Sequence, residues 1–424
     1  MVEQVSSLKT GVKYKETPIG KIPVDWEVVR LGDVCDIIGG STPPTKRKEY
    51  WGGHIPFATP TDITGLRGRE ISITKESITS EGLSSCGARL LPVGSILLTS
   101  RATLGACAIN TKSMATNQGF ASLVCSEKAY NWFIFYKMIS LKRELQTLGS
   151  GSTFKEVSKG NIRSLFLAIP SPPEQKKIAE ILTTVDDAIE KTTQIIDKTK
   201  ELKKGLMQRL LTRGIGHKKF KKTEIGEIPV EWEVVKLKDI VQEFYNGGTP
   251  DTAKIEYWDG DIPWITGADF ENQKVNRIRR HITHEGVENS ATNVIPEGNL
   301  LVVTMTGVGK VAIAPFDIAI SQDITGIVLN QRKAIAEFLC WYLDHKSERL
   351  RSIIQGTSIS GLLRGDLESF IVPLPPVKEQ KKITRILSAN DDEIEKESNH
   401  REQLNLLKNG LMQVLLTGKL RVIV

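Results

Sequence analysis

The side chains in this sequence best suited to chemistry are cations and amides, not acid–base pairs or nucleophiles. Lys46-Arg47-Lys48 precede Tyr50-Trp51, Arg67 and Arg69 flank a glycine, and Arg101 is followed by the amides Asn117-Gln118. Further along, Lys274, Arg277, Arg279 and Arg280 crowd into one short stretch, and Gln322 lies beyond them. Lysine and arginine neutralise phosphates, arginine pairs two-pronged with guanine, and glutamine or asparagine does the same with adenine. These residues therefore suit nucleic acid. Tyr50-Trp51 and Tyr257-Trp258 read as core or turn anchors.

Searches for a catalytic centre fail. Gly307-Val308-Gly309-Lys310 lacks the upstream glycine and the following Ser or Thr of a phosphate loop. The six histidines (His54, His217, His281, His284, His345 and His400) form no HExxH, and His281-Ile282-Thr283-His284 has no Cys or carboxylate cluster beside it. No GxSxG elbow occurs. Pro250-Asp251 is not followed by the acidic-x-Lys of a carboxylate–lysine nuclease, and Ser171-Pro172-Pro173-Glu174 lacks the amide and aromatic of an amino-methyltransferase motif. The expectation is a chain with no catalytic residues, no metal site and no cofactor of its own.

The elements that must position the cations and amides occur twice. Residues 19–34 and 225–240 are identical at 11 of 16 positions. Glu49-Tyr50-Trp51 with Ile55-Pro56 returns as Glu256-Tyr257-Trp258 with Ile262-Pro263. Glu174-Gln175-Lys176-Lys177-Ile178 returns as Glu379-Gln380-Lys381-Lys382-Ile383, and Gly205-Leu206-Met207-Gln208 as Gly410-Leu411-Met412-Gln413. The period is too long for a solenoid, so two similar domains with two similar surfaces are expected, related by a pseudo-two-fold.

Each copy begins with short apolar runs bounded by turn residues, such as Ser95–Thr99 and Asn299–Thr304, which predict a β-rich α/β domain. Helices are expected around Tyr130–Gln146 and Ala334–Ile354. Proline-rich segments ending at Pro173 and Pro376 then open a long helix, over 174–212 and 379–417. In the first, Ile178, Leu182, Val185, Ile189, Thr192, Ile196, Thr199, Lys203, Leu206 and Leu210 alternate at +4 and +3, the a/d seam of a coiled coil. The second keeps Ile383, Leu387, Ile394, Leu404, Leu411 and Leu415 but places Asn390, Glu397 and Arg401 on its seam. Gly205 and Gly410 interrupt these helices at equivalent points, which suggests close backbone approach or a partner contact. The competing reading is two amphipathic helices, each packed on its own domain.

Charge qualifies the nucleic-acid reading. The chain carries a net +7, yet residues 1–173 hold 21 basic and 14 acidic side chains, while residues 223–378 hold 15 and 22. A local basic patch must therefore serve the second half. The linker Arg213–Lys222 is basic and contains glycine. Five scattered cysteines without a CxxC point to reduced thiols in the cytoplasm, and neither a membrane span nor a signal peptide is expected.

These features resemble the specificity subunit of type I restriction–modification systems. The resemblance rests on IGxIPxxWEV at 19–28 and 225–234, Thr99-Ser100-Arg101 with Leu104-Gly105, Asn117-Gln118-Gly119, Gly151-Ser152-Thr153-Phe154-Lys155, the Pro-Pro to Glu-Gln-Lys-Lys-Ile entry, and Gly-Leu-Met-Gln before Leu-Leu-Thr at both helix ends. In the second half Ser321-Gln322-Asp323 replaces Asn-Gln-Gly, and Thr304-Met305-Thr306 replaces Thr-Ser-Arg. The resemblance implies a non-catalytic DNA reader with two target-recognition domains, each reading one half of a bipartite target in double-stranded DNA. Its helices would set the spacer and dock two methyltransferase subunits, through which restriction–translocase subunits join. S-adenosylmethionine, ATP and Mg would belong to those partners. The alternatives are a stand-alone DNA methyltransferase or nuclease with an unrecognised site, or a coiled-coil scaffold that binds no DNA.

The expected fold is α+β: two β-rich α/β target-recognition domains related by internal repeat, joined and spaced by two long antiparallel coiled-coil helices. The expected divisions are 1–170, first recognition domain; 171–213, first helix; 214–222, linker; 223–375, second recognition domain; and 376–424, second helix and tail.

Overall fold

The structure, a computed structural model, describes residues 8–9, 13–101, 103–149, 156–271, 273–354 and 361–422. The chain forms two compact units, one from residues 1–194 with 398–424 and the other from residues 195–397. The expected divisions follow the repeats along the chain, whereas this packing divides each long helix between the units. Each unit is thus one repeat completed by the far end of the other repeat's helix.

In the first unit, a five-stranded sheet runs in the order Cys35–Gly39, Ala121–Cys125, Ile96–Leu98, Cys107–Asn110, Glu70–Ile71, and a three-stranded sheet runs Ala115–Thr116, Trp51–Ala58, Glu76–Ile78. The second unit follows the same plan, with Val241–Asn246, Ile324–Leu329, Leu300–Val303, Val311–Ile313 in one sheet and Arg280–Ile282, Trp258–Ile265, Ile318–Ile320, Asn293–Ile295 in the other. Ile96–Leu98 and Leu300–Val303 are buried at every residue, the pattern of strands covered on both faces. The repeated Trp-x-Gly is a bulge: pairing shifts between Trp51 and Ile55 and again between Trp258 and Ile262. Its middle position is left-handed in both copies (Gly52, φ 75°; Asp259, φ 57°), a conformation aspartate tolerates better than most residues.

The two expected domain helices each break in the middle, into Asn131–Ser140 and Lys142–Leu148 and into Ala336–His345 and Ser347–Ile354. The break residues Leu141 (φ −90°, ψ 7°) and Lys346 (φ −103°, ψ 17°) leave helical geometry at equivalent points.

The long helices are Pro172–Arg213 and Val377–Leu415. Prolines fit the first turn of the former because the N–H groups there have no helical partner. The repeated glutamine then sews each helix to its domain. Gln175 accepts from the Tyr130 amide at 2.8 Å and donates to the carbonyls of Lys128 and Pro170 at 3.0 and 2.9 Å. Gln380 does the same with Ile335 (3.0 Å), Lys333 (3.0 Å) and Pro375 (2.8 Å).

Within each unit the helix segments run antiparallel. In the first, Ile178 and Leu182 share a core with Met412, Leu415 and Leu416, and Asp186 pairs with Lys408. In the second, Leu210 and Leu211 share a core with Ile383 and Leu387, and Lys203 pairs with Asp391. Of the seam residues, Ile178, Leu182, Val185, Ile196, Leu210, Ile383, Leu387, Leu404 and Leu415 are buried, and Ile189, Leu206, Ile394 and Leu411 are half-buried. The same apolar residues also fill domain cores: Ile178 and Leu182 lie in one cluster with Phe133 and Tyr136. Of the two readings of Gly205 and Gly410, close backbone approach within the chain is ruled out, since a Cβ at either would meet nothing within 4 Å among the described residues.

Candidate nucleic-acid interface

Two loops meet at the same place in each unit. In the first unit, the loop after strand Cys35–Gly39 crosses to the turn after strand Ala115–Thr116. The Ser41 amide donates to the Thr116 carbonyl at 3.0 Å, and the Thr42 hydroxyl donates to Gln118 Oε1 at 2.5 Å. In the second unit, Gly248 N–H donates to Ile320 O at 3.0 Å and the Thr249 hydroxyl to Gln322 Oε1. Only glycine permits the crossing. A Cβ on Gly40 would lie 1.9 Å from the Asn117 carbonyl, and one on Gly247 1.9 Å from the Ser321 carbonyl.

The replacement of Asn-Gln-Gly by Ser-Gln-Asp leaves this turn intact. Asn117 Oδ1 accepts from the Gly119 amide at 2.9 Å, and Ser321 Oγ from the Asp323 amide at 3.4 Å. Short polar side chains that bond two residues onward both serve this purpose. The indole N–H groups of Trp51 and Trp258 tie the far side of the threonine loop, donating to Pro44 O (3.4 Å) and Asp251 O (3.1 Å). That is the anchor role expected of the Tyr-Trp pairs. In the first unit a cleft of about 730 Å³ opens beside the clasp, lined by Thr42, Lys48, Trp51, Lys75 and Asn117 among others.

The cations distribute unevenly. Lys46, Arg47 and Lys48 are exposed on the threonine loop, where Arg47 meets Glu49 at 3.3 Å. Arg67 is exposed on the turn before Arg69. Arg101 is half-exposed and joins Glu156 at 2.8 Å. The backbone bonds match Ser100 to Thr304, which shifts the sequence alignment by one and puts Met305, not Thr306, in the place of Arg101, also exposed. The matched segment Gly151–Lys155 lies outside the described residues.

Arg69 corrects the expectation of a DNA contact. Its guanidinium is largely buried, donating to the Thr183 carbonyl at 3.1 Å and to Asp187, 3.8 Å from Asp186 and over the Trp132 ring. A cation held by two carboxylates and a helix carbonyl is a strut between domain and helix. The second-unit patch is also partly committed. Lys274 reaches Glu395 on the long helix at 2.5 Å. Arg279 grips the buried Asp269 and donates to Thr266 Oγ1 at 2.8 Å. Burial pushes the Asp269 carboxyl up, but the Arg279 and Thr266 hydrogen bonds outweigh it and hold the group below the usual carboxylate range. Arg277 is exposed, and Arg280 lies over the Trp258 ring at 5.4 Å. All four of these cations are exposed, and two of them, Lys274 and Arg279, are paired to carboxylates.

Sequence reasoning missed the ion pairs that join helix to helix. Lys408 donates to Asp186 at 2.7 Å beside the Tyr136 ring, and Lys203 to Asp391 at 2.6 Å beside the Trp341 ring. A signal existed: Lys203 and Lys408, Asp186 and Asp391, and Tyr136 and Trp341 all stand at one repeat spacing. Among the described residues, no group of three or more His, Cys, Asp or Glu could hold a metal ion, and no helix is long and apolar enough to cross a membrane.

Two equivalent loop clasps, each on its own sheet pair and each fastened to long helices, define a duplicated recognition protein. The profile of the type I restriction modification DNA specificity domain matches the chain twice, over residues 23–201 and 229–406. The chain belongs to this family of non-catalytic DNA-recognition subunits. It is 30% identical to the type I restriction enzyme MjaIX specificity subunit of Methanocaldococcus jannaschii, over 97% of each chain. It is 32% identical to a putative MjaX specificity subunit of that organism, over 96% of this chain and 97% of the other. The fold is shared with the crystal structure of a type I system S subunit from M. genitalium (TM-score 0.60, 12% identity, 96% of this chain and 99% of that one).

Proposed function

We propose that each unit reads one half of a bipartite duplex target, and that the long helices set the spacing between the halves and dock two methyltransferase subunits. The observation that carries this reading is the recurrence of one amide clasp in both units, on sheets that otherwise carry different cations. The contact set is Lys46, Arg47, Lys48, Arg67, Arg101, Asn117 and Gln118 in one unit and Lys274, Arg277, Arg279, Arg280 and Gln322 in the other. Arg69 supports the first surface from behind, whereas Lys274 and Arg279 are exposed while paired to Glu395 and Asp269 and stay within the second contact set.

The helices carry equivalent exposed faces that suit two identical partners. Leu202 and Gly205 on one correspond to Leu407 and Gly410 on the other, and both leucines are solvent-exposed. Open glycines beside exposed leucines let a partner helix approach closely. S-adenosylmethionine, ATP and Mg are placed, in this reading, in the methyltransferase and restriction–translocase subunits, and the assembly works in the cytoplasm.

The test is a graft. Residues 16–170 of a relative with a different target replace those of this chain, the hybrid is expressed with its methyltransferase subunits, and methylated sites are mapped. One half of the target is expected to change while the other half and the spacer persist. A hybrid altering both halves refutes independent reading. Methyl transfer by the purified chain alone would favour a stand-alone enzyme, and complexes that never discriminate DNA sequences would favour a scaffold.

A further inference from the structure

The clasp does more than join two loops: it fixes how a glutamine faces outward. A surface glutamine ordinarily samples many rotamers and can present its amide either way round. Here the threonine hydroxyl holds one arm of the amide, meeting Oε1, and leaves one of that oxygen's lone pairs open. Among the described residues, neither Gln118 Nε2 nor Gln322 Nε2 has a hydrogen-bond partner, and both side chains are exposed. Each amide therefore offers one acceptor and a free N–H₂ in a fixed orientation. Adenine presents the complement on its major-groove edge, an N6 donor beside the N7 acceptor.

The surroundings show what is shared and what is not. The glycine crossing, the backbone bond, the turn cap and the indole anchor recur in both units. The neighbouring side chains do not: Lys46 and Lys48 give way to Ala253 and Ile255, Arg101 to Met305, and Asn117 to Ser321. A pre-positioned amide kept in both units amid changed neighbours marks a reading element common to both.

We infer that Gln118 and Gln322, each oriented by its threonine, read the same base in the two halves of the target. That base is an adenine at the same register relative to each unit, while the remaining bases differ between halves. This rests on the DNA-reading proposal and adds a specificity-determining residue and the base it selects. Thr42 and Thr249 are positioning residues, acting through the glutamines.

The experiment uses the full chain assembled with its methyltransferase subunits and a duplex carrying its mapped target. Each adenine of the target is replaced in turn by 7-deazaadenine, which keeps Watson–Crick pairing but removes N7. One adenine in each half, at matching positions, is expected to weaken binding about 5- to 10-fold, part of the roughly 5- to 150-fold of a full bidentate contact. Gln118→Leu should abolish that sensitivity in one half only, and Gln322→Leu in the other only. Thr42→Val should weaken binding in its half while leaving the preference for adenine. Insensitivity of the wild-type complex to every 7-deaza substitution overturns the inference. So does full sensitivity retained in both leucine variants, or a target whose halves share no adenine at matching positions. A wild-type complex without sequence preference would instead refute the DNA-reading proposal itself.

Discussion

In the first unit the buried carboxylate of Asp186 gathers Lys408 at 2.7 Å, the Tyr136 hydroxyl at 2.8 Å and Arg69 at 3.8 Å. In the second, the equivalent Asp391 pairs with Lys203 at 2.6 Å and is 29% exposed. Trp341 stands where Tyr136 stands and has no hydroxyl to offer the carboxylate. The strut from the recognition domain lands elsewhere too, on Glu395 rather than beside Asp391. One ancestral joint thus became a dense polar network in one unit and a set of separate surface pairs in the other. Equivalent residues do not carry equivalent energy, because the worth of an ion pair depends on how far water is excluded from it.

The largest contrast should come from removing the two aspartates. Asp186→Ala strands Lys408 in a poorly hydrated site and takes one of Arg69's two carboxylates and the acceptor of the Tyr136 hydroxyl, and is expected to cost about 3–5 kcal/mol. Asp391→Ala should cost about 1 kcal/mol or less. Urea unfolding of the full chain, followed by hydrogen exchange resolved to each unit, checks both. Equal losses would mean that the dense network contributes no more than a surface pair.

A second contrast is sharpened by pH. Lys137 is buried, donates to the Leu416 carbonyl at 2.8 Å, and is driven by burial down to about 8 from 10.5. The equivalent residue in the second unit is Tyr342, buried and pushed up to about 12, so it stays neutral over that range. Between pH 8 and 10.5 the folded chain has released the Lys137 proton while the unfolded chain still holds it. Stability of the first unit should therefore rise through this window, by up to about 3 kcal/mol. Below pH 8 the cost of the buried charge is present in full. Lys137→Met should flatten the rise, as thermal melts across the window would show.

The smallest effect is expected at a pair of thiols. Cys35 and Cys125 face each other across neighbouring strands with their sulfurs 3.3 Å apart. The second unit holds Val241 and Leu329 at the corresponding register. Transplanting that pair as Cys35→Val with Cys125→Leu adds three heavy atoms where the two sulfurs already touch. Stability should fall by about 1–3 kcal/mol, measured by urea unfolding under reducing conditions.

Several parts of this architecture were readable before any coordinates. The repeat, the proline-opened helices and the seam all depend on sequence patterns a few residues long. Asn117 and Gln118 were readable as amides suited to a base, but neither their turn nor the partner Thr42 was. The cations were harder. Arg69 and Arg67 are two residues apart and chemically alike, yet one is buried against a helix whose acids lie more than a hundred positions away. Lys274 and Arg279 look like free members of a patch until Glu395 and Asp269 are seen beside them.

By itself the sequence determined the duplication, the element types and the amides and cations available to each half, because turn chemistry and hydrophobic period act over short stretches of chain. Only the tertiary structure decided that each unit borrows its last helical turns from the other repeat, and which cations became struts. It alone showed that a threonine in one loop orients a glutamine in another. Those outcomes depend on which distant segments exclude water together. Burial among distant segments, not residue type, turned Arg69 into a strut, while an acid brought close by the fold was enough to pair the exposed Lys274 and Arg279.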